Sequence, residues 1–368
     1  MKLFCNKLSL CEAINNVSKA VAVKSTIPAL EGIKITLSDS MLNLTGYDLE
    51  IGIKTKISVR SQDSGEFIVN ARLFNEIIKR MPTEEIMIEV AENLAITITG
   101  GATQYTISAT AATEYPDIPE FNECDTFKIS QSLLKNMINQ TVFAVATNDT
   151  KPILTGELFD IEDETFNLVA IDGYRLAIRT EKINCEKKFK FVVPSKALNE
   201  VSKLLKDADE LQCEIHTCKK HIIFDISGYQ VISRLLEGEF HNYKGSIPQN
   251  SNTEVIVKTK ELISCLERAS LLINERIKSP VRCIFENGMV KMNCSTSIGK
   301  INDEISVDIT GPKIEIGFNN KYFLDPLKAI EDDKIKLLMN GSNLPMKITP
   351  LNGVDYTFLV LPVRLKNE

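Results

Sequence analysis

One short segment recurs three times along this chain, and the repeat constrains the fold more than any other feature of the sequence. It occupies residues 69–79, 193–203 and 318–328, so successive copies begin 124 and 125 residues apart. In each copy, the apolar end of a strand leads through a short polar step into a helix. The period is far longer than the roughly 20 to 50 residues of a solenoid repeat. The sequence therefore predicts an α+β fold with three similar domains in a row.

Further patterns keep nearly the same spacing. Leu10, Leu133 and Leu262 each begin a helical stripe whose next members lie one and two turns later, as in an amphipathic helix. Segments of alternating apolar and polar residues, interrupted by turn residues, predict antiparallel hairpins in every third of the chain. Each third is thus predicted to contain two helices and several strands.

Two linkers that contain proline, residues 114–121 and 240–250, separate the thirds. Both follow predicted strands, and proline and glycine end strand pairing there. The predicted domains are residues 1–121, 122–248 and 249–368.

The overall composition narrows the class of protein. No run of about 18 apolar residues occurs, so no transmembrane helix is expected, and the first residues lack the apolar core of a signal peptide. A cytoplasmic protein without a membrane partner is therefore predicted. A net charge of −6 argues against a protein that holds nucleic acid through its whole surface, but it allows a local basic face. Nine cysteines follow no spacing framework, which in a cytoplasmic chain predicts reduced thiols, most of them in the core.

The sequence lacks the common motifs of catalysis. It has no glycine-rich phosphate loop, no His-Glu-x-x-His helix and no dinucleotide fingerprint. Cys213, His216, Cys218 and His221 have the composition of a zinc site, but their segment alternates like a hairpin. We therefore expect no metal and no cofactor. The alternatives are a metal-dependent hydrolase that uses Cys213 and His216, and a monomeric scaffold without a role on DNA.

Basic residues recur at matching positions of the predicted helices. In each repeated segment two bases lie seven residues apart, so that they share one face of the helix. Their repetition in three domains favours a basic face that meets nucleic acid over three unrelated solvated surfaces. The bases on the repeated helices are Arg72, Lys79, Lys196, Lys203, Lys321 and Lys328, and those on the other helices are Lys135 and Arg268.

Several motifs resemble one known family over the whole chain. These are residues 26–30, 44–50 and 170–176, and the ending 358–365 with its Pro-x-Arg-Leu. They resemble the bacterial DNA polymerase III beta subunit, the replicative sliding clamp. The resemblance implies three domains of the DNA clamp fold and two chains closed into a ring, with helices lining the hole and sheets outside. It also implies a processivity subunit without a catalytic site, which encircles duplex DNA irrespective of sequence and tethers the replicative polymerase.

The same resemblance implies a peptide-binding groove between the middle and last domains. Its partners would be short linear motifs of the DNA polymerase III alpha subunit, the clamp loader, other polymerases and repair proteins. The implied groove residues are Leu154, Asp172, Gly173, Tyr174, Arg175, Leu176, His241, Tyr322, Met346, Val360, Leu361, Pro362, Val363 and Arg364. His241, Gly245, Ser246 and residues 343–345 depart from the usual family pattern, which leaves the peptide preference open. Residues 366–368 follow the usual terminus and are expected near the groove.

Two further sets of residues follow from the resemblance. Lys24 and the segment 148–151, with Asn148 and Lys151, are expected to approach DNA. The joint of the implied homodimer would pack Tyr105 and Ile107 against the partner's Leu271 and Leu272.

Overall fold

The computed structural model describes residues 1–118, 123–148, 150–273 and 279–365. It forms two compact units, which are Met1–Lys135 with Asn199–Leu235, and Asn136–Leu198 with Leu236–Glu368. We call them the first unit and the second unit. The middle third of the chain contributes to both, because some of its strands join a sheet with the first third and others join a sheet with the last third.

The α-helices lie where the repeated segment and the amphipathic stripes predicted them. Asparagine side chains cap three of them: Asn6, Asn70 and Asn319 accept hydrogen bonds from amide groups of the first turn. Such caps satisfy N–H groups that have no partner inside the helix. The helices are α1 (Lys7–Val17), α2 (Ala71–Arg80), α3 (Gln131–Thr141), α4 (Ser195–Leu204), α5 (Thr259–Ser270) and α6 (Asn320–Lys328).

The strands are mostly five to eight residues long, and many alternate buried with more exposed side chains, whereas β11 has six buried residues in succession. The first thirteen are β1 (Lys2–Asn6), β2 (Gly32–Ser38), β3 (Met41–Tyr47), β4 (Ile51–Ser58), β5 (Gly65–Asn70), β6 (Glu85–Val90), β7 (Ala95–Gly100), β8 (Thr103–Ser108), β9 (Thr110–Ala111), β10 (Asp125–Ser130), β11 (Gly156–Glu162), β12 (Thr165–Ile171) and β13 (Arg175–Lys182). The others are β14 (Phe189–Pro194), β15 (Gln212–Thr217), β16 (His221–Ile226), β17 (Tyr229–Arg234), β18 (Thr253–Lys258), β19 (Val281–Glu286), β20 (Met289–Thr296), β21 (Gly299–Ser306), β22 (Asp308–Thr310), β23 (Ile314–Phe318), β24 (Lys334–Met339), β25 (Met346–Pro350) and β26 (Tyr356–Val360).

The first unit contains two antiparallel sheets. The smaller has the strand order β1-β6-β7-β8, and the larger has the order β10-β15-β16-β17-β4-β3-β2-β5-β9. In the larger sheet, strands of the first third of the chain join strands of the middle third. The joining pair is β17 with β4, in which Tyr229 lies opposite Thr55. Phe67 and Phe74 are fully buried beside these sheets.

The second unit repeats this plan. Its larger sheet has the order β14-β11-β12-β13-β26-β25-β24-β18-β22, and its smaller sheet has the order β21-β20-β19-β23. Strand β13 pairs with β26, so that Leu176 lies opposite Leu359. The main core of this unit includes Phe285, Phe318 and Phe358. A smaller apolar cluster, with Leu158, Leu176 and Leu359 among its members, lies beneath the candidate site.

The cysteines correct one prediction. Cys124 and Cys218 form a disulfide bond, so the prediction of reduced thiols is wrong for this pair. The bond is possible because β10 and β15 pair in a register that places the two residues opposite each other. The remaining cysteines are free, and six of the seven are buried. Within the described part of the chain, no helix has the length and apolar character needed to span a membrane.

Candidate functional site

An apolar cavity of about 620 Å³ opens on the second unit. Its walls are mostly aliphatic, and all but one of its polar side chains are exposed, an arrangement typical of sites that bind one apolar group and orient it. The aliphatic wall residues are Ile153, Leu154, Ile171, Leu176, Leu359 and Leu361. The polar residues are Lys151, Arg175, Glu239, His241 and Ser246.

The walls are adjacent because of strand register. Leu176 lies opposite Ile171 on β12 and opposite Leu359 on β26. Three neighbouring strands therefore present an aliphatic side chain to the same place. Since a shift of one residue would turn each of these side chains to the other face of the sheet, the register is essential to the cavity.

A tight turn between β12 and β13 forms one edge of the cavity. The carboxylate of Asp172 accepts hydrogen bonds from the backbone N–H groups of Tyr174, at 2.9 Å, and Arg175, at 3.0 Å. Gly173 has a φ of 89°, which glycine adopts without strain, although a Cβ atom there would meet nothing within 4 Å. The turn leaves the Tyr174 ring 60% exposed and stacked on Tyr322, with 5.7 Å between the ring centroids.

Arg175 anchors this turn from below. Its guanidinium group is buried and donates to Asp172 at 3.1 Å, to Asp325 of α6 at 2.5 Å and to the carbonyl oxygen of Phe143. It also lies 4.7 Å from the centroid of the Tyr322 ring. A buried charge is tolerated only when it is paired and its donors are used. Arg175 therefore acts mainly as an anchor that holds the turn on α6.

The segment after β26 forms another part of the wall. The Leu361 amide donates to the Tyr174 carbonyl at 2.9 Å, and the Val363 amide donates to the Gly317 carbonyl at 2.8 Å. These two bonds fix the segment after β26 beside the turn. Leu361 remains 38% exposed and lines the cavity, whereas Val360 is fully buried.

A short segment after β17 supplies the polar rim. The hydroxyl group of Tyr243 donates to Asp160 at 2.6 Å, and Lys244 lies 3.4 Å from the same carboxylate. Burial, together with the hydrogen bond to Asp160, raises the pKa of Tyr243 above its usual range. With the backbone fixed in this way, His241 and Ser246 meet at the rim, with 3.0 Å between Nε2 and Oγ.

Within the part of the chain that the structure describes, at least four of the eight helix bases singled out in the sequence form ion pairs with nearby carboxylates. The pairs, at 2.6 to 2.7 Å, are Lys135 with Asp207, Lys203 with Glu200, Arg268 with Asp303, and Lys328 with Glu267. The side chains of Arg72, Lys79, Lys196 and Lys321 are exposed, as are those of Lys24, Asn148 and Lys151. The pairing reduces the charge that these helices offer to a polyanion.

Each unit also has a small sheet that ends in an edge strand with apolar residues nearby. In the first unit this strand is β8, which carries Tyr105, 38% exposed, and the half-buried Ile107. In the second unit it is β21, and Leu271, 81% exposed, and the half-buried Leu272 follow α5. An edge strand offers unpaired backbone groups to another strand.

Comparison with known proteins identifies the family. Models of the DNA polymerase III beta subunit match the chain in three parts: the N-terminal domain at residues 1–119, the central domain at 128–242 and the C-terminal domain at 244–364. The beta sliding clamp of Bacillus subtilis is 36% identical over 378 residues, which cover 99% of this chain and 100% of that protein. This chain belongs to the DNA polymerase III beta subunit family.

Solved structures of the family agree with this assignment. The sliding clamp of Bacillus subtilis, 35% identical, superposes with a TM-score of 0.95 over 100% of both chains. A putative DNA polymerase III beta subunit from Eubacterium rectale, 33% identical, gives 0.94 over 99% of both. A Pseudomonas aeruginosa sliding clamp bound to griselimycin, 27% identical, gives 0.93 over 99% of this chain and 100% of that one. The predicted clamp fold of three domains is confirmed, and the chain is a processivity clamp of DNA replication, a class that is not catalytic itself.

The structure does not bring the residues of the zinc alternative together. Cys213 and His216 lie on opposite faces of β15, because strand side chains alternate. The His216 Nδ1 atom lies 2.9 Å from the hydroxyl group of Thr126, and Cys218 is in the disulfide bond. Among the residues that the structure describes, no group of three or more histidine, cysteine, aspartate or glutamate side chains could hold a metal ion.

The structure brings together only part of the implied groove set. Of these residues, the ones that line the cavity are Leu154, Gly173, Arg175, Leu176, His241 and Leu361. Met346 and Val360 are buried, Asp172 and Tyr322 line another cavity of about 550 Å³ that also includes Arg175, and Tyr174 stacks on Tyr322. Pro362, Val363 and Arg364 line a separate polar cavity of about 1040 Å³ that includes Arg282 and Glu315. Asp149 and residues 366–368 lie outside the described residues.

Sequence reasoning missed several cavity residues. Ile171 and Leu359 contribute because they are the cross-strand neighbours of Leu176, and Lys151, predicted to face DNA, lies at the rim. The other missed residues are Ile153 and Glu239, whereas Ser246 and Pro345 are among the departures from the family pattern near the groove. Ile153 is adjacent to Leu154 in the sequence, but the two strand neighbours could be found only once the register was known.

Proposed function

We propose that two copies of this chain close head to tail into a ring around duplex DNA. Apolar residues that are exposed or half-buried near the two edge strands support this assembly: Tyr105 and Ile107 on β8 would meet Leu271 and Leu272 of the partner chain near β21. Pairing of the two strands would extend one sheet across the joint and remove both edges. We also propose that the three domains comprise residues 1–121, 122–248 and 249–368, and that the protein acts in the cytoplasm.

Retention on DNA then depends on enclosure more than on charge. A protein that neutralises phosphates releases counterions, so its affinity falls steeply with salt. The logarithm of the binding constant falls against the logarithm of the salt concentration with a slope of about −0.9 per neutralised phosphate. Ion pairs already occupy four of the candidate DNA-facing bases. Exposed bases such as Lys24, Arg72, Lys79 and Lys321 would position the duplex by contacts to phosphate that carry no sequence information.

The apolar cavity of the second unit is the proposed docking site for short linear peptides. The polymerase alpha subunit, the clamp loader, other polymerases and repair proteins are the proposed partners. The observation that carries this assignment is the cavity itself, about 620 Å³ with mostly aliphatic walls and a few polar side chains, most of them exposed. A few apolar anchors in such a pocket supply most of the affinity of a peptide.

Leu361→Asp tests the docking site. Leu361 lines the cavity and is 38% exposed, so a carboxylate there should leave the fold intact while it places a charge against an apolar anchor. We expect the anisotropy of a labelled alpha-subunit peptide to show at least a tenfold loss of affinity.

Val354→Asp is the matched control, because Val354 is 74% exposed and does not line the cavity. It should bind the peptide like the unmodified chain. Equal affinity of the Leu361 variant and this control would show that peptides dock elsewhere.

A further inference from the structure

We propose that Cys124 and Cys218 are a reversible thiol modification site that fastens the edge strand of the large sheet in the first unit. Their Sγ atoms are bonded, and their Cα atoms lie 4.4 Å apart. The bond joins the residue before β10 to the residue after β15, one position beyond the last pair of that ladder, Asp125 with Thr217. Neither the enclosure of DNA nor the docking of peptides uses these two residues.

Several of the other cysteines are poor candidates for redox chemistry. Burial raises the pKa of the Cys5 and Cys265 thiols to about 12, and that of Cys283 still further. Burial also raises the pKa of Cys11, which is only half-buried. Since the thiolate is the reactive form, these side chains react slowly. Cys124 and Cys218 are both partly accessible and lie opposite each other.

Neighbouring charges distinguish the two members of the pair. Cys218 is followed by Lys219 and Lys220, which are exposed, whereas Cys124 stands between Glu123 and Asp125. Positive charge favours a thiolate and negative charge opposes it. In the reduced protein, Cys218 is therefore the attacking thiolate and Cys124 the resolving thiol.

The oxidant is a low-molecular-weight disulfide. The Cys218 thiolate attacks one sulfur of this molecule, forms a mixed disulfide and releases one small thiolate. Cys124 then loses its proton to solvent and attacks the Cys218 sulfur, which releases the second small thiolate. Two protein thiols and one small disulfide thus give one protein disulfide and two small thiols, with two electrons passing from the cysteines to the small molecule. Excess small thiol drives the same steps backwards.

The bond restrains a strand that has few other supports. Among the described strands, β10 pairs only with β15, at the end of the nine-stranded sheet. Its first residues follow directly from the linker between the first two thirds of the chain. When the bond is open, the start of β10 is free to separate from β15 in the way that strand ends fray. Oxidation therefore holds the start of β10 against β15.

Redox titration of the purified full-length chain tests the proposal. In oxidised glutathione we expect seven alkylatable thiols after denaturation, against nine in reduced glutathione, and a cross-linked peptide that contains both residues. Hydrogen exchange of the β10 amides should be severalfold faster in the reduced protein, while the β16 and β17 amides serve as an internal reference. The double variant C124S/C218S should exchange at the reduced rate in both buffers.

Single variants test the assigned roles. C124S should trap a glutathione adduct on Cys218 severalfold faster than C218S traps one on Cys124, and K219Q/K220Q should remove most of the difference. A bond that forms in neither buffer, or one that excess reduced glutathione leaves closed, would overturn reversible modification. Equal trapping rates in the two single variants would overturn the assignment of the attacking thiol.

Discussion

Glu157 is fully buried on β11, and among the described residues the only hydrogen bond to its side chain comes from the hydroxyl group of Thr141, at 2.5 Å. Its other carboxyl oxygen has no partner. Burial raises the pKa of this carboxyl group from 4.5 to about 8, although the Thr141 hydrogen bond acts in the opposite direction. Glu157 is therefore protonated at neutral pH in the folded chain but ionised in the unfolded chain.

Glu157→Gln should consequently change how stability depends on pH. The folded state holds a proton that the unfolded state has lost, so the free energy of unfolding falls as pH rises from about 4.5 to about 8. The total loss is on the order of 4 kcal/mol. Glutamine has the same shape but cannot ionise, so the variant should not lose this free energy of unfolding. Its stability relative to the original chain should therefore rise between about pH 4.5 and about pH 8. Urea unfolding at pH 5 and pH 8 measures it.

Glu92→Gln is the control for this prediction, since Glu92 is exposed. Parallel pH profiles of the original chain and of the Glu157 variant would show that the buried carboxyl group does not hold its proton.

Arg175→Met should destabilise the second unit. Asp172 and Asp325 would lose the guanidinium group that compensates their charges, and breaking one partner of a buried ion pair typically costs about 3 to 5 kcal/mol. Arg282→Met is the comparison, because its pair with Glu315 is longer, at 3.4 Å, and more exposed, and such pairs contribute at most about 1 kcal/mol. Chemical unfolding of both variants gives the difference, and similar losses would argue against Arg175 as the anchor of the turn.

At the scale of elements, local patterns predicted what local interactions determine. Helices α2, α4 and α6 lie within the repeated segment or end one residue beyond it. The hairpin turn between β19 and β20 has Asn287 and Gly288 at positive φ, as the sequence Asn-Gly favours. Local patterns could not predict that β17 pairs with β4 or that β13 pairs with β26, because these contacts join distant parts of the chain. The two missed cavity walls and the disulfide bond follow from that same long-range register.

The segment after α5 gives a prediction at this scale. Replacing both Leu271 and Leu272 with alanine should convert the proposed dimer into monomers, since each buried leucine typically contributes about 2 to 5 kcal/mol. Leu271 is 81% exposed in the single chain, so the monomer should keep its melting temperature. Analytical ultracentrifugation gives the molecular mass of this variant and of the control Val354→Ala, which should remain a dimer. A dimer that persists at low concentration would exclude this joint.

At the scale of the whole molecule, the acidic charge and the ion-paired bases predict unusual retention on DNA. A chain with a net charge of −6 that encloses its ligand should remain on nicked circular DNA, once loaded, at salt concentrations that remove ordinary DNA-binding proteins. Cutting the circle should release the protein within minutes, because retention depends on enclosure more than on contacts to phosphate. Gel filtration of labelled protein with DNA before and after linearisation measures this, and retention on the linear form would contradict enclosure.

The pairing of β4 with β17 has a consequence for synthesis of the chain. Residues 51–58 leave the ribosome long before residues 229–234, their eventual neighbours. At about 5 to 20 residues per second, the delay is roughly 10 to 35 seconds. During that time β4 is the exposed border of a growing sheet, and its Lys54 and Lys56 are the kind of charged residue that discourages premature pairing between nascent chains.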